Sequence, residues 1–385
     1  MRACVLTTVH IYNDNRIFFK QIPTLLQAGY QVTYIAPCPP EVSYLKEIDL
    51  IPLPQIPRSR RPVNWGRALG AALQSRADIF HFHDPELIGV GLLLKLLTHR
   101  PVVYDIHENY PQVMLNRLWI PAGFRPAVAK GMNLLEWLAA RIFDGVVVAN
   151  EPTYGRFQRA NRRPVLVRNF VDLHSFDEAQ ESAPLKLEAP YFVYSGLLSR
   201  DRGALDCLAA FERLSGERKD AGLVLVGRLD DADPSVANLS HRLPRGAHLL
   251  PEQPFRRLPP LLKGARAGMV TLYPTPNYLE ILPTKLLEYM AASIPVIAYN
   301  LPLVRPIVEE ASCGLLVEPG DIEQMAKAMA HILNHPTEAQ EMGRRGREAV
   351  VERYSWEREG KKLIGLYQDL LGQGAPNPAG EAKDG

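Results

Sequence analysis

Short, β-rich apolar runs alternate with amphipathic helical patterns along almost the whole chain, and this alternation confines it to α/β architectures. Ala3–Thr7, Gln31–Ile35, Ile79–His83, Val102–Asp105 and Gly145–Ala149 lack the two-residue alternation of a half-exposed strand. They read as strands covered on both faces of a parallel sheet. Helical patterns at Ile17–Ala28, Trp65–Gln74, Leu87–Leu97 and Met132–Ile142 separate them. The second half repeats the scheme. Strand-like runs at Phe192–Ser195, Gly222–Val226, Ala267–Leu272, Val296–Tyr299 and Gly314–Val317 alternate with helices at Ala204–Leu214, Thr284–Ala292, Ile322–Leu333 and Glu338–Tyr354. A chain of 385 residues is too long for one ordinary core, so two doubly wound domains are expected.

The polar, proline-containing stretch between Asp172 and Pro190 has no strand pattern and marks the boundary. The expected organisation is an N-terminal Rossmann-like domain over 1–172, a linker over 173–190 and a second domain over 191–354. A closing helix over 355–371 is expected to return to the N-terminal domain, and the Gly/Pro/Ala-rich tail 372–385 to be disordered. Open α/β sheets bind ligands at the carboxyl ends of their strands, so the domains are expected to face each other across a cleft.

Charge is unevenly spread. Residues 1–175 hold 20 Lys/Arg against 13 Asp/Glu, although the whole chain carries only +2. A basic half attracts something anionic, such as a phosphorylated acceptor or an acidic membrane surface, unless it is an ordinary fluctuation between domains. No nucleic-acid partner is expected. The four cysteines lie far apart without a C-x-x-C pair, against a disulfide framework or zinc site. The first residues lack a signal-peptide core, and the longest apolar run, Leu87–Leu97, is interrupted by Lys95. A cytoplasmic protein is expected, peripheral at the inner face of the membrane if it meets one. Met114–Phe143 mixes Trp119, Phe124, Trp137 and Phe143 with Arg117, Arg125, Lys130 and Arg141. That composition suits either a surface that meets a membrane or lipid-linked acceptor, or a core helix with a solvated basic face.

Dinucleotide binding would require G-x-G-x-x-G after the first strand, but Thr7–Phe18 (TTVHIYNDNRIF) contains no glycine. That excludes a dehydrogenase of the usual kind. The informative segment is Asn277–Asn300, NYLEILPTKLLEYMAASIPVIAYN. Pro283–Thr284 signals a helix start, with Glu280 in the loop ahead of it and Glu288 one turn inside. Free N–H groups at a helix start suit a diphosphate, and Glu288 suits a ribose diol. Lys285 in the first turn opposes the helix dipole, which makes sense if an anion sits there or if the side chain extends into solvent. Two glutamates at this spacing are otherwise ordinary charges on a solvated helix face.

The Glu-x7-Glu pattern followed by Ser-Ile-Pro-Val-Ile resembles the nucleotide-sugar motif of retaining family 4 (group 1) glycosyltransferases, and PTKLLEYMAA is especially similar to one subset of them. YSGLLSRDRGALDCLAAF (194–211) looks like that family's strand, glycine turn, basic residue and helix. ADIFHFHDPELIG (77–89) and VVYDIHENYP (102–111) look like its two histidine-bearing strand ends. CGLLVEPGDIEQMAKAM (313–329) and YSWEREGKKLIGLYQDLL (354–371) match as well, so the likeness covers all but linker and tail.

The resemblance implies a GT-B fold and a retaining, metal-independent, hexosyltransferase-type glycosyltransferase without cofactor. A nucleotide-diphosphate sugar would be its donor. A glycan, lipid-linked or small-molecule acceptor would receive the sugar, in cell-surface polysaccharide or glycolipid synthesis. A catalytically silent nucleotide-sugar binder and a GT-B-fold sugar epimerase are the alternatives. By the same resemblance, Gly196 and Gly203 admit the diphosphate and Arg202 neutralises it. Glu288 meets the ribose, while Glu280 and His107 meet the transferred sugar. Many members place an arginine directly after the first glycine. Here Leu197 stands there, and Lys285 or Arg200 would supply the charge. The acceptor side falls to His10, Asp14, Arg16 and His83. His81 and His83, flanking Phe82, are read on opposite faces of their strand, which leaves no metal site.

Overall fold

In the computed structural model, residues 1–42, 45–115, 117, 120–178, 190–254 and 257–373 are described. The chain divides into two compact units, Met1–Asn169 with Arg358–Gly385, and Phe170–Glu357. The expected linker falls mostly outside the described residues, as do Trp119 and the tail beyond 373.

The first unit carries strands β1 (Arg2–Leu6), β2 (Gln31–Cys38), β3 (Ile48–Pro54), β4 (Ile79–Phe82), β5 (Val102–Ile106), β6 (Gly145–Val148) and β7 (Pro164–Leu166). All pair in parallel in the order β3-β2-β1-β4-β5-β6-β7. The second carries β8 (Tyr191–Ser195), β9 (Gly222–Val226), β10 (Ala247–Leu250), β11 (Ala267–Val270), β12 (Val296–Tyr299) and β13 (Gly314–Val317), ordered β10-β9-β8-β11-β12-β13. Each order reverses beside its first strand, between β1 and β4 and between β8 and β11. A reversal of this kind opens a crevice at the carboxyl ends of the strands.

Central strands are buried throughout, β4, β5, β6, β8, β9, β11 and β12 without an exposed residue. Helices cover both faces of such strands, so side chains on either side of the pleat are apolar. Three strands absent from the sequence reading, β3, β7 and β10, lie at sheet edges and are largely half-exposed. β3 contains Pro52 and Pro54, tolerated because an edge strand leaves one row of backbone groups unpaired.

Packing of the second unit brings the helix Thr284–Ala291 hard against its sheet. An added Cβ at Gly268 of β11 would lie 2.2 Å from the Tyr289 ring, and the Tyr289 hydroxyl accepts from the Ser195 backbone N–H at 2.9 Å. Tyr289 thereby fixes this helix against the end of β8. In the first unit the helix Trp356–Leu370 contributes most of its length, and Leu366 and Leu370 close over Gly145. Among the described residues no helix is long and apolar enough to cross a membrane.

Candidate functional site

At the carboxyl end of β8 the chain turns through Gly196, at φ +118°, and reaches Gly203, at φ +70°, which opens the helix Ala204–Glu217. The two glycines do different things. A side chain at Gly203 would strike the Thr271 carbonyl oxygen at 2.1 Å, so backbone packing by itself requires this glycine. At Gly196 an added Cβ would meet, among the described residues, only the end of Lys285, at 3.7 Å from Nζ. Open space over that turn is what a bound group would use.

Lys285 is 6% exposed, in the first turn of Thr284–Ala291. Its Nζ lies 3.6 Å from the centre of the Tyr194 ring and has no hydrogen-bond partner among the described residues. Burial, reinforced by the Arg202 guanidinium, pushes its pKa down from 10.5 to about 7. The expectation of an anion-facing lysine and that of a solvent-facing one separate here: the side chain does not extend into solvent. Arg202 is half-buried, its Nε donating to the Tyr278 hydroxyl at 3.0 Å and its guanidinium 5.5 Å from that ring. Thr271 donates to the Arg202 carbonyl at 3.0 Å and holds its backbone in place.

Two cations brought together on one side of a crevice repel each other unless an anion arrives. Of the two residues proposed to replace a charge at Leu197, Lys285 reaches Gly196, while Arg200 is exposed and its backbone N–H binds Asp233 at 2.6 Å. Glu288 is half-buried one turn into the helix, and Glu280 is exposed in the loop ahead of it.

The first unit gathers its own cluster around the ends of β1, β4 and β5. Asp84, buried, accepts from the Thr8 and Val9 backbone N–H groups at 2.6 and 3.0 Å and from the Thr7 hydroxyl at 2.8 Å, fixing the loop after β1. On that loop His10 Nδ1 meets Asp14 at 3.0 Å, and its Nε2 lies 3.6 Å from Asp84. Burial opposes a charge on His10, but the bond to Asp14 and the Asp84, Asp14 and Glu108 carboxylates outweigh it and raise its pKa. His83 and His107 share a hydrogen bond of 3.0 Å. Burial pushes both pKa values down, that of His107 to about 3, so both rings are neutral near pH 7.

Beneath them lies Asp105, fully buried, which the sequence reading did not single out. Although burial resists its ionisation, Arg16 at 3.2 Å holds its carboxyl well below the usual range, helped by the surrounding imidazoles. Gln21 also donates to it. Arg16, expected among acceptor contacts, is instead 4% exposed, donating to Asp105 and to the Val167 carbonyl. A carboxylate inside the apolar run VVYDIH was the available signal, because an acidic group is almost never buried unpaired.

One expectation is overturned outright. His81 and His83 are two residues apart, so they share a face of β4, and their rings stack at 4.6 Å. His81, His83 and Asp105 offer ligand atoms within 4.8 Å of one another, a spacing that could hold a metal ion. The carboxylate already faces Arg16 and Gln21, however, and His81 and His83 each direct Nδ1 elsewhere, to Tyr367 and His107. A cation there would have to displace a guanidinium.

Both units thus place polar groups at the reversal points of two Rossmann-like sheets. The chain aligns over 97% of its length with 99% of the sucrose-phosphate synthase structure from Thermosynechococcus elongatus, at a TM-score of 0.70 and 19% identity. A structure of Anabaena Alr3699/HepE in complex with UDP-glucose aligns over 96% of this chain and 100% of that one, at a TM-score of 0.66 and 14% identity. This is the GT-B fold. The family model described as Glycosyl transferases group 1 matches residues 175–349, and that described as Glycosyltransferase Family 4 matches residues 19–175. The chain belongs to the group 1 glycosyltransferases. A phosphatidyl-myo-inositol mannosyltransferase of Mycolicibacterium smegmatis is 21% identical over 91% of this chain and 88% of its own length.

Proposed function

We propose that the protein transfers a hexosyl group from a nucleoside-diphosphate sugar to an acceptor hydroxyl, with retention of configuration and without a metal ion. The carrying observation is Lys285: a buried amine with no hydrogen-bond partner among the described residues, beside Arg202 and the open turn at Gly196. Such a pair suits a diphosphate whose charge grows as it leaves. The neighbour solved with UDP-glucose supports the same donor class. In this reading Lys285 and Arg202 hold the diphosphate, Glu288 the ribose, and Glu280 and His107 the sugar.

The bond from the sugar's anomeric carbon to the phosphate oxygen breaks as the acceptor oxygen bonds to that carbon from the same face. The acceptor's proton passes to the leaving phosphate. Lys285 supplies the cation whose absence at Leu197 was the one argument for a silent binder, so the structure favours turnover. His10 and Asp14 line the acceptor side, with His83 behind His107. Membrane contact at the inner face is supported by Leu134, Leu135, Leu138 and Ile142, all exposed on the helix Arg125–Ile142 that also bears Lys130 and Arg141.

A single-turnover assay with radiolabelled UDP-, GDP-, ADP- and TDP-sugars tests the proposal. Transfer or slow hydrolysis of one donor is expected. Donor binding with neither, across varied acceptors, would refute it, and release of an epimerised sugar without acceptor would indicate an epimerase.

A further inference from the structure

A cavity lined wholly by residues of the first unit has no part in the donor reading. It encloses about 1120 Å³ between the helices Pro62–Gln74, Ile88–Thr98 and Arg125–Ile142. That is at or above the roughly 300–1,000 Å³ of a pocket for a drug-sized ligand. Its walls are mainly apolar, including Leu69, Leu92, Met114 and Met132. Val9 and Asp84, in the loops that follow β1 and β4, also line it, and His10 lies 3.6 Å from Asp84. Leu93 and Leu135 also line it, and both are exposed, so the cavity is continuous with the apolar outer surface.

Its charged lining is just as specific. Arg58, Arg61 and Arg117 contribute guanidinium groups against two carboxylates, Asp84 and Glu86. Asp84 is buried and engaged by the loop after β1, and Glu86 accepts from Thr8 at 2.7 Å and from Trp65 at 3.2 Å. Arg61 lies 3.6 Å from Glu86, and with three arginines against two carboxylates the lining is net positive. An apolar groove with arginines in its lining, bordered by the loop that bears His10, fits an amphiphile with an anionic head.

We propose that this groove binds the hydrocarbon chain of a phosphate-bearing lipid acceptor, with the phosphate at Arg58, Arg61 and Arg117 and the accepting hydroxyl toward His10. The proposal rests on the transferase reading for the word acceptor, but the groove's occupant can be tested without turnover. Glycines at two positions make the test clean. A Cβ at Gly66 or Gly89, both lining the groove, meets nothing within 4 Å among the described residues, so a larger side chain there fills space without disturbing the backbone.

The experiment follows Trp65 fluorescence in the full chain during titration with octyl, decyl and dodecyl phosphate, kept below micelle-forming concentrations, and with the matching neutral alkyl glucosides. Saturable binding is expected to tighten by about tenfold for each added pair of methylenes, and the phosphates are expected to bind tighter than the glucosides. Gly66→Phe and Gly89→Phe should flatten the chain-length dependence, while Arg61→Ala should erase the preference for phosphate and keep that dependence. Thermal unfolding of each variant, and its affinity for UDP and GDP, report whether fold and second unit are intact. No saturable binding, or an unchanged chain-length dependence in both filled variants with intact folds, overturns the groove. If alkyl phosphates fail to bind while nucleotide sugar is still turned over, the lipid assignment falls and the transferase stands; the reverse result separates them the other way.

Discussion

Replacing Lys285 with methionine should make the ligand-free protein more stable and its nucleotide binding weaker. The unfolded chain holds this lysine's proton up to about pH 10.5, whereas the folded chain releases it near pH 7. Folding therefore carries a penalty that is fully present below pH 7 and disappears as pH rises from 7 to 10.5. Its size is on the order of 5 kcal/mol from the displaced pKa alone, and relaxation around a buried charge reduces that, so Lys285→Met is expected to gain about 2 kcal/mol or more at pH 7. The same charge should be restored by a diphosphate.

Binding of a nucleoside diphosphate at pH 8 is then accompanied by uptake of roughly 0.9 proton, against roughly 0.1 at pH 6, and affinity falls by up to about tenfold per pH unit above 7. Calorimetric titration in two buffers of different ionisation enthalpy measures that uptake directly. Lys285→Met should abolish it and cost about 1.5–3 kcal/mol of binding, the range of a hydrogen bond to a charged group. Equal proton uptake in the variant, or none in the wild type at pH 8, would refute the assignment of the ammonium to an anion.

Arg202→Ala should lower single-turnover transfer by about tenfold or more, at least 1.4 kcal/mol in the barrier, while Glu288→Ala mainly weakens donor binding; unchanged kinetics in both would remove the donor site from this crevice. Gly203→Ala, at φ +70° and 2.1 Å from a carbonyl oxygen, should destabilise the second unit by more than about 1 kcal/mol in urea unfolding, whereas Gly66→Ala, mid-helix with nothing within 4 Å among the described residues, should stabilise by about 0.5–1 kcal/mol. The neutral His83 and His107 should make the protein acid-labile. Their folded pKa values are depressed, so their contribution is intact above pH 6.5 and is lost as pH falls below it, toward about 3 for His107. His107→Gln should flatten that part of the stability profile, read by thermal melts across pH 7 to 4.

Strand–helix alternation was legible because strands covered on both faces, such as β5 and β9, are continuous apolar runs that need no context to recognise. Edge strands β3, β7 and β10 were not, because half-exposure and prolines remove that signature. The start of the helix at Thr284 could be read from Pro283, and with it the positions of Lys285 and Glu288. Whether Lys285 faced water or the interior could not, since that depends on Tyr194 and Gly196, about ninety residues upstream. The misplaced His81 is a simpler lesson: alternation puts residues i and i+2 on one face, and the sequence already contained the stacked pair. Asp105, which binds Arg16 and gathers three imidazoles, showed only as a carboxylate out of place in an apolar strand.

The most direct test of the central claim is a thermal-shift panel of UDP-, GDP-, ADP- and TDP-sugars against the wild type, Arg202→Ala and Glu288→Ala. One base is expected to raise the midpoint of the wild type in proportion to the logarithm of its concentration over Kd, with the response reduced in both variants. A wild type that ignores all four donors, or variants that respond to them fully, would contradict the account.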